Sequence, residues 1–424
     1  EEYVKYNFKS IDNYVTLFQK YPTLARIITI RTDYLLSHYQ EILQRINNDY
    51  KEIKSFIKIE NNKFSLTDIN LSTGDSHKKG KSVCILEFEN KKLVYKPKNL
   101  EINKAIKDFS DWFTEMFTLK DLKFPNGIYK KNYSYEEYIT FEPCKNENEV
   151  INFYRRYGHL IGLSYLFNIT DIHVENLVAQ GAYPVIIDIE TSFQNKSPIN
   201  MDYFFIKLFN SVNLDSIKSS SLLPRSVKIE LMDEDIDMGA LIENKDKKIN
   251  EKFLIPVRHS DDDFHYEKVG EGIVPAGYNV PYTYDNKKID YYDYSNFIVE
   301  GFIDFIKTIQ DNKDIVIEKI KNFGDYKIRI LLKGTEKYSS MIRISNHPKY
   351  NQKMKYRERF LMNIWAYPYS DKRPVVNEMN DLVFNDVPIF ETSINSKNLI
   401  DSNGNVYENY FDISGKNKVI TKIK

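Results

Sequence analysis

The chain has 424 residues, and its 60 lysines and arginines balance 60 aspartates and glutamates. The length suits two or three domains or one large two-lobed enzyme, and the charge balance excludes a global field steering the protein to nucleic acid or an anionic membrane. Cys84 and Cys144 are the two cysteines, too few for a disulfide framework or a four-thiolate metal site, so reduced, buried thiols in a cytoplasmic setting are expected.

No run reaches the roughly 18 apolar residues of a membrane span, and no signal sequence opens the chain. It starts at Glu1 and stops at "NKVITKIK", which reads as an unfinished strand or loop, so a segment of something longer is expected.

From Ile11 to about Ile57 the pattern is helical, with Leu35, Leu36, Tyr39, Ile42, Leu43 and Ile46 at three- and four-residue steps. Pro22 divides it into two helices. "SVCILEFE" (82–89) and "LVYKPK" (93–98) read as the strands of a hairpin. A helix follows at about 101–117, with Ile102, Ala105, Ile106, Phe109, Trp112 and Phe113 on one face. Strands are expected near 122–129 and 135–141.

The strongest helical pattern runs from Glu147 to Phe167, with Val150, Phe153, Tyr154, Tyr157, Leu160, Ile161 and Tyr165 on its apolar side. Residues 195–265 mix "SSSLLPRS", "MDEDIDM", "ENKDKK" and "HSDDDFHYE", which predicts loops and an insertion; Asp261, Asp262 and Asp263 read as a solvated charge run. Helices resume over 291–323 and 333–344. No repeat of 20 to 50 residues is visible.

Phosphoryl transfer needs a carboxylate for the attacking hydroxyl, oxygen ligands for Mg²⁺ and a lysine on the nucleotide phosphates. Protein kinases place an asparagine five residues after the catalytic aspartate, and Asp171 and Asn176 in "TDIHVENL" have that spacing. Asp188, at the end of the apolar run "PVII", stands where a second magnesium ligand would follow, although "DIE" is not D-F-G. Lys96 ends "LVYK" as the kinase strand lysine ends V-A-I-K. A glycine-rich loop is missing, and in "GDSHKKGKS" Gly74 and Gly80 stand too far apart for a Walker A loop. Each motif alone has a bland reading: turn chemistry for Asp171, His173 and Asn176, an edge lysine for Lys96, a turn cap for Asp75 and His77. The order of Lys96, Asp171, Asn176 and Asp188 favours the kinase-like reading.

The longer stretches "GDSHKKGKSVCILEFENKKLVYKPK", "YGHLIGLSYLFNITDIHVENLVAQGAYPVIIDIE", "SLLPRS", "NIWAYPYSDK" and "DVPIF" resemble the dehydratase domain of class II lanthipeptide synthetases, the LanM type. The likeness spans about 70–390, and the helical opening shares it. It implies an α+β, two-lobed, lipid-kinase-like fold: a helical region over 1–70, an N-lobe over 71–145, and a C-lobe over 146–424 with an insertion near 195–265 and elimination elements near 325–345.

The resemblance further implies an enzyme using ATP and Mg²⁺ to phosphorylate Ser and Thr of a ribosomal precursor peptide, leader plus core, and then to eliminate the phosphate. Lys96 would contact nucleotide phosphates, Asp171 would serve the hydroxyl as base or orienter, and Asn176 and Asp188 would hold Mg²⁺; His173 belongs to the same motif. Arg329 and Thr335 in "RILLKGTEKY", with Asp75 and His77, match the family's elimination residues, although Lys333 and Gly334 stand where the family commonly has R-P-T. A LanC-like cyclase, fused or separate, is the implied partner. A simple kinase and a silent peptide-binding scaffold remain as alternatives at this stage.

Overall fold

The computed structural model describes residues 5, 8–59, 64–71, 75–195, 208, 216–227, 236–237, 239–242, 247–249, 253–257, 265–269, 272–274, 277–283, 285 and 289–424. Gly74, Asp261, Asp262 and Asp263, and most of the acidic and charged tracts of 232–264, lie outside the described residues.

Helix α1 (Ile11–Lys20) starts at Ser10, whose hydroxyl accepts from the Asn13 amide, and α2 (Pro22–Phe56) begins on its proline, which suits the first helical position. The buried face of α2 is Thr23, His38, Ile42, Ile46 and Ile53. Leu35, Leu36, Tyr39 and Leu43, grouped with that face by spacing, are exposed. Periodicity alone does not fix which side of so long a helix meets the sheet.

That sheet is antiparallel, in the order β1 (Leu66–Asn70), β2 (Cys84–Phe88), β3 (Lys91–Lys96), β5 (Ser134–Glu137), β4 (Gly127–Tyr129). The β2–β3 hairpin is as expected from alternation, and β4 and β5 are shorter than the sequence suggested. Cys84, Leu86, Phe88, Leu93 and Tyr95 of the hairpin form one core with Ile42, Ile46 and Ile53 of α2, so the opening helix and the sheet fold as one layered unit.

Helix α3 (Glu101–Met116) belongs to a second, larger core. Its Ile102, Ile106, Phe109 and Phe113 pack with Phe153, Tyr157 and Phe167 of α4 (Glu147–Phe167). Helix α4 is buried nearly all round rather than on one side, and ends in left-handed Asn168. It crosses α5 (Ser295–Asp311) closely: a Cβ on Gly158 would lie 2.2 Å from the Ile298 carbonyl, and one on Gly301 2.1 Å from that of Arg155. The helices expected over 291–323 are a short 3₁₀ turn, α5, and α6 (Lys313–Lys321), the last two parted at Asn312.

Strands β6 (Leu177–Gln180) and β7 (Tyr183–Ile186) form a hairpin after α4, and three more two-stranded ladders lie among the described residues between 226 and 274. A four-stranded antiparallel sheet unseen in the sequence joins β8 (Lys327–Ile330), β9 (Phe390–Ser393), β10 (Leu399–Asp401) and β11 (Val406–Tyr407). Between β8 and β9 run α7 (Thr335–Ser345), α8 (Pro348–Asn351), α9 (Met354–Leu361) and α10 (Val375–Val383).

The chain ends in α11 (Gly415–Ile423), correcting the strand or loop expected there: Ser414 caps it, and Val419 and Ile423, four apart, are buried. The whole is a mixed α/β protein. Cys84 and Cys144 are buried free thiols, and among the described residues no helix is long and apolar enough to cross a membrane.

Candidate active site

A cavity of about 220 Å³ opens where the five-stranded sheet faces the β6–β7 hairpin and β8. Asp75, His77, Asp171, His173, Asn176, Asp188, Arg329 and Thr335 all line it. Lys96 does not; Lys98 and Glu190 do.

The loop after α4 is fixed from both sides. The Thr170 amide donates to the Thr191 carbonyl at 3.1 Å, and the Ile172 amide to Ser220 at 2.8 Å. Asp171 takes a left-handed backbone with φ of 65°, a conformation that Asp tolerates better than most residues. The Asn176 side-chain amide donates to the Asp171 carbonyl at 2.8 Å, and the Ile187 amide donates to the Asn176 carbonyl at 3.0 Å. Asn176 is thereby tied to both ends of the motif, and its Oδ1 remains as the acceptor. His173 Nδ1 accepts from the Glu175 amide at 3.3 Å, so that nitrogen is occupied by its own turn.

Lys96 is the last residue of β3 and Lys98 lies just beyond it, and the two divide the work. Lys96 is buried, 2.8 Å from Glu136 of β5 and 2.6 Å from the Ile187 carbonyl. Burial opposes its charge, but Glu136 and Asp188 outweigh that and raise its pKa. Lys98 reaches the cavity, 2.5 Å from Glu190 and 3.4 Å from Asp188.

Glu190 is the hinge between two sets of groups. Its carboxylate meets Lys98 on one side and Arg329 Nη1 at 2.9 Å on the other. Burial would raise its pKa, yet the two cations hold it down at about 2. Its carbonyl also accepts from the Arg329 amide at 3.1 Å, so strand β8 is fixed to the Asp188–Glu190 segment by backbone and side chain together.

Arg329 Nη2 lies 3.5 Å from His77 Nε2, and its buried Nε has no hydrogen-bond partner. His77 Nδ1 is 2.9 Å from the Val387 carbonyl; a carbonyl only accepts, so Nδ1 carries the proton and the Nε2 lone pair faces Arg329 Nη2. Burial, then Arg329, lowers the His77 pKa well below the usual imidazole range, which keeps the ring neutral. Asp171 moves the other way: burial raises it, with His173 and Arg329 pulling it back and Asp188 and Glu190 adding to the rise.

The 75–82 segment is a tight turn leading into strand β2. The His77 and Lys81 backbones exchange hydrogen bonds of 2.9 and 2.8 Å, and Lys78, Lys79 and Gly80 all have positive φ. Asp386 accepts from the Lys79 and Gly80 amides at 2.6 and 3.3 Å. Asp75 stands exposed at the rim.

Thr335 is the first residue of α7, whose N-cap is Gly334. Lys333, just before it, is buried against Glu378 at 2.7 and 2.8 Å beneath the rings of Tyr367 and Tyr369. Burial outweighs Glu378 there and lowers the lysine to about 8. The departure from R-P-T thus supplies a buried ion pair that anchors the Thr335 turn.

Among the described residues no group of three or more His, Cys, Asp or Glu side chains could hold a metal. A divalent ion at Asn176 and Asp188 would therefore share few protein oxygens with ligand oxygens, the arrangement that Mg²⁺ accepts and zinc does not favour. The residues missed in the sequence are Lys98, Glu190 and Glu136. For the first two a signal existed: in "KPK" and "DIE" a second charged residue follows Lys96 and Asp188 two positions on.

The chain matches the family described as "Domain of unknown function (DUF4135)" over residues 21–393. It belongs to that family, a domain found in LanM-type lanthipeptide synthetases. A similar protein, described as "Lacticin 481/lactococcin biosynthesis protein LcnDR2" from Lactococcus lactis subsp. lactis, is 27% identical over 387 residues, covering 86% of this chain. The chain spans 40% of that relative's length.

Proposed function

We propose that the chain is a peptide Ser/Thr dehydratase of lanthipeptide biosynthesis, acting by phosphorylation and then elimination. One observation carries this reading: in one cavity the Glu190 carboxylate pairs with the donors Lys98 and Arg329 while its amide donates to Asp188 Oδ1 at 3.2 Å, which ties the cationic groups to the oxygen-rich set of Asp171, Asn176 and Asp188. The family membership and the relative's role in biosynthesis of lacticin 481 support it.

In the first step the peptide hydroxyl oxygen bonds to the terminal phosphorus of ATP, the bridging P–O bond breaks, and ADP departs. Asp171, raised by burial, accepts the hydroxyl proton. Asn176 Oδ1 and the Asp188 carboxylate are hard oxygen donors suited to Mg²⁺, which supplies charge neutralisation at the phosphates. The buried Lys96–Glu136 pair stands where kinases pair a strand lysine with a glutamate, here with the glutamate on a neighbouring strand. This supports a kinase-like, two-lobed reading of the fold.

In the second step a base removes the Cα proton, the Cα–Cβ double bond forms, the Cβ–O bond breaks, and phosphate leaves. The Arg329 guanidinium, with its unpartnered Nε, and the Thr335 hydroxyl at the start of α7 serve the departing oxygens. The neutral His77 fits the acceptor role, and Asp75 at the rim faces the peptide. Ring closure would fall to a LanC-like cyclase, fused or separate, and ATP dependence with free thiols fits the cytoplasm.

The test is to incubate the protein extended to its natural ends with ATP, Mg²⁺ and its precursor peptide, then weigh the peptide. Loss of water supports the proposal. Accumulated phosphate reduces it to a kinase, and an unchanged mass leaves only a scaffold.

A further inference from the structure

A second cavity, of about 450 Å³, adjoins the first: Asp75 and Ser82 line both. Its floor comes from one face of α7. Thr335 lines the reaction cavity, while Ser339, Ile342, Arg343 and Asn346 line the second, and these positions fall within about 100° of helical arc. The same helix therefore runs from the reacting end of one cavity along the wall of the other. Across from it, α2 contributes Arg31 and the exposed Leu35. Arg31 Nη1 donates to Ser76 at 3.0 Å, which holds its guanidinium at the wall, and Arg343 is exposed.

We propose that this groove is the subsite for substrate residues lying beyond the reacting Ser or Thr, and that its two arginines select against basic side chains there. The proposal rests on the peptide-dehydratase reading. From Thr335 to Arg343 is eight residues of helix, a rise of about 12 Å. An extended peptide covers that in about three to four residues. Arg343 thus meets the side chain three or four positions from the hydroxyl, while Leu35 and Ile342 offer it apolar surface. An apolar or acidic residue gains contact or charge complementarity, and a lysine meets two like charges. Asp75, the carboxylate shared with the reaction cavity, sits at the junction and governs the nearer positions.

The experiment measures fluorescence anisotropy of labelled synthetic peptides with Leu, Glu or Lys three and four positions either side of a central residue. That residue is alanine, so that binding is read without chemistry. The Leu and Glu peptides are expected to bind about fivefold more tightly than the Lys peptide. Arg343→Glu, checked for folding by circular dichroism, brings the Lys and Glu peptides within about twofold of each other. Equal binding by the wild type, or a gap unchanged in Arg343→Glu, overturns the subsite. If the gap behaves as expected but serine-bearing precursor keeps its mass with ATP and Mg²⁺, the subsite stands and the chemical reading falls.

Discussion

The Glu190 carboxylate lies 2.9 Å from Nη1 of Arg329, and the two residues also share a backbone hydrogen bond of 3.1 Å. Residues 139 apart in sequence are thus locked at two points, one on the segment after β7 and one on β8. Any chemistry performed by Arg329 is performed at a fixed distance from Asp188.

Glu190→Gln should therefore disturb both halves of the site. Removing one partner of a buried ion pair leaves an uncompensated charge, at a cost of about 3 to 5 kcal/mol; here Arg329 loses its ion-pair partner and Lys98 keeps only Asp188 at 3.4 Å. Urea unfolding is expected to show that loss, with a larger fall in elimination than in phosphorylation. A variant as stable and active as the wild type contradicts the bridging role.

Acid sensitivity follows from the same carboxylate. Its pKa falls from the ordinary 4.5 to about 2 in the folded protein, so its contribution is fully present above about 4.5 and is lost as pH falls toward 2. His77 adds to this from a higher pH: its imidazole is lowered in the fold, so the unfolded chain gains a proton first as pH drops below 6.5. Thermal melts should show stability declining from about pH 6.5 downward, with the decline between 4.5 and 2 reduced in Glu190→Gln.

Lys96 and Lys98 should fail differently. Lys96→Ala leaves buried Glu136 without a counter-charge and removes the contact to the Ile187 carbonyl beside Asp188, so both steps are expected to stop. Lys98→Ala, at a half-buried position, should keep the fold and weaken phosphate handling by about 10²-fold or more, as the loss of one preorganised donor does elsewhere. Single-turnover phosphorylation by the two variants separates them.

Much of this was legible in the sequence where a period was strong. The β2–β3 hairpin alternates cleanly, and α4 carries an apolar pattern across all its turns. Strand β8 was not legible: "KIRI" is four residues long and pairs with β9, 60 or more residues away, so nothing local announces it. Arg329 was found by resemblance to known motifs, and its partner Glu190 emerged only when the two segments met. The face of α2 was misjudged because Leu35 and Leu36 are as apolar as Ile42 yet stay exposed; tertiary packing chose the side.

The buried pair before α7 gives a stability test apart from the chemistry. Glu378→Gln leaves Lys333 beneath its tyrosines without a counter-charge, and a loss of about 3 kcal/mol or more is expected in urea unfolding. Replacing both by apolar residues, Lys333→Met with Glu378→Leu, should restore only part of it, because the buried Tyr338 and Tyr369 hydroxyls also lose Glu378 as their acceptor. If the double variant is less stable than Glu378→Gln, the pair matters through something other than its charge.

The most direct measurement of the shared cavity supplies a synthetic phosphoserine precursor to the protein without ATP and follows its mass. The wild type and Asp171→Asn are expected to release phosphate and leave dehydroalanine, whereas Arg329→Ala leaves the phosphopeptide intact. Phosphopeptide that survives the wild-type protein, or elimination undiminished in Arg329→Ala, would contradict the account.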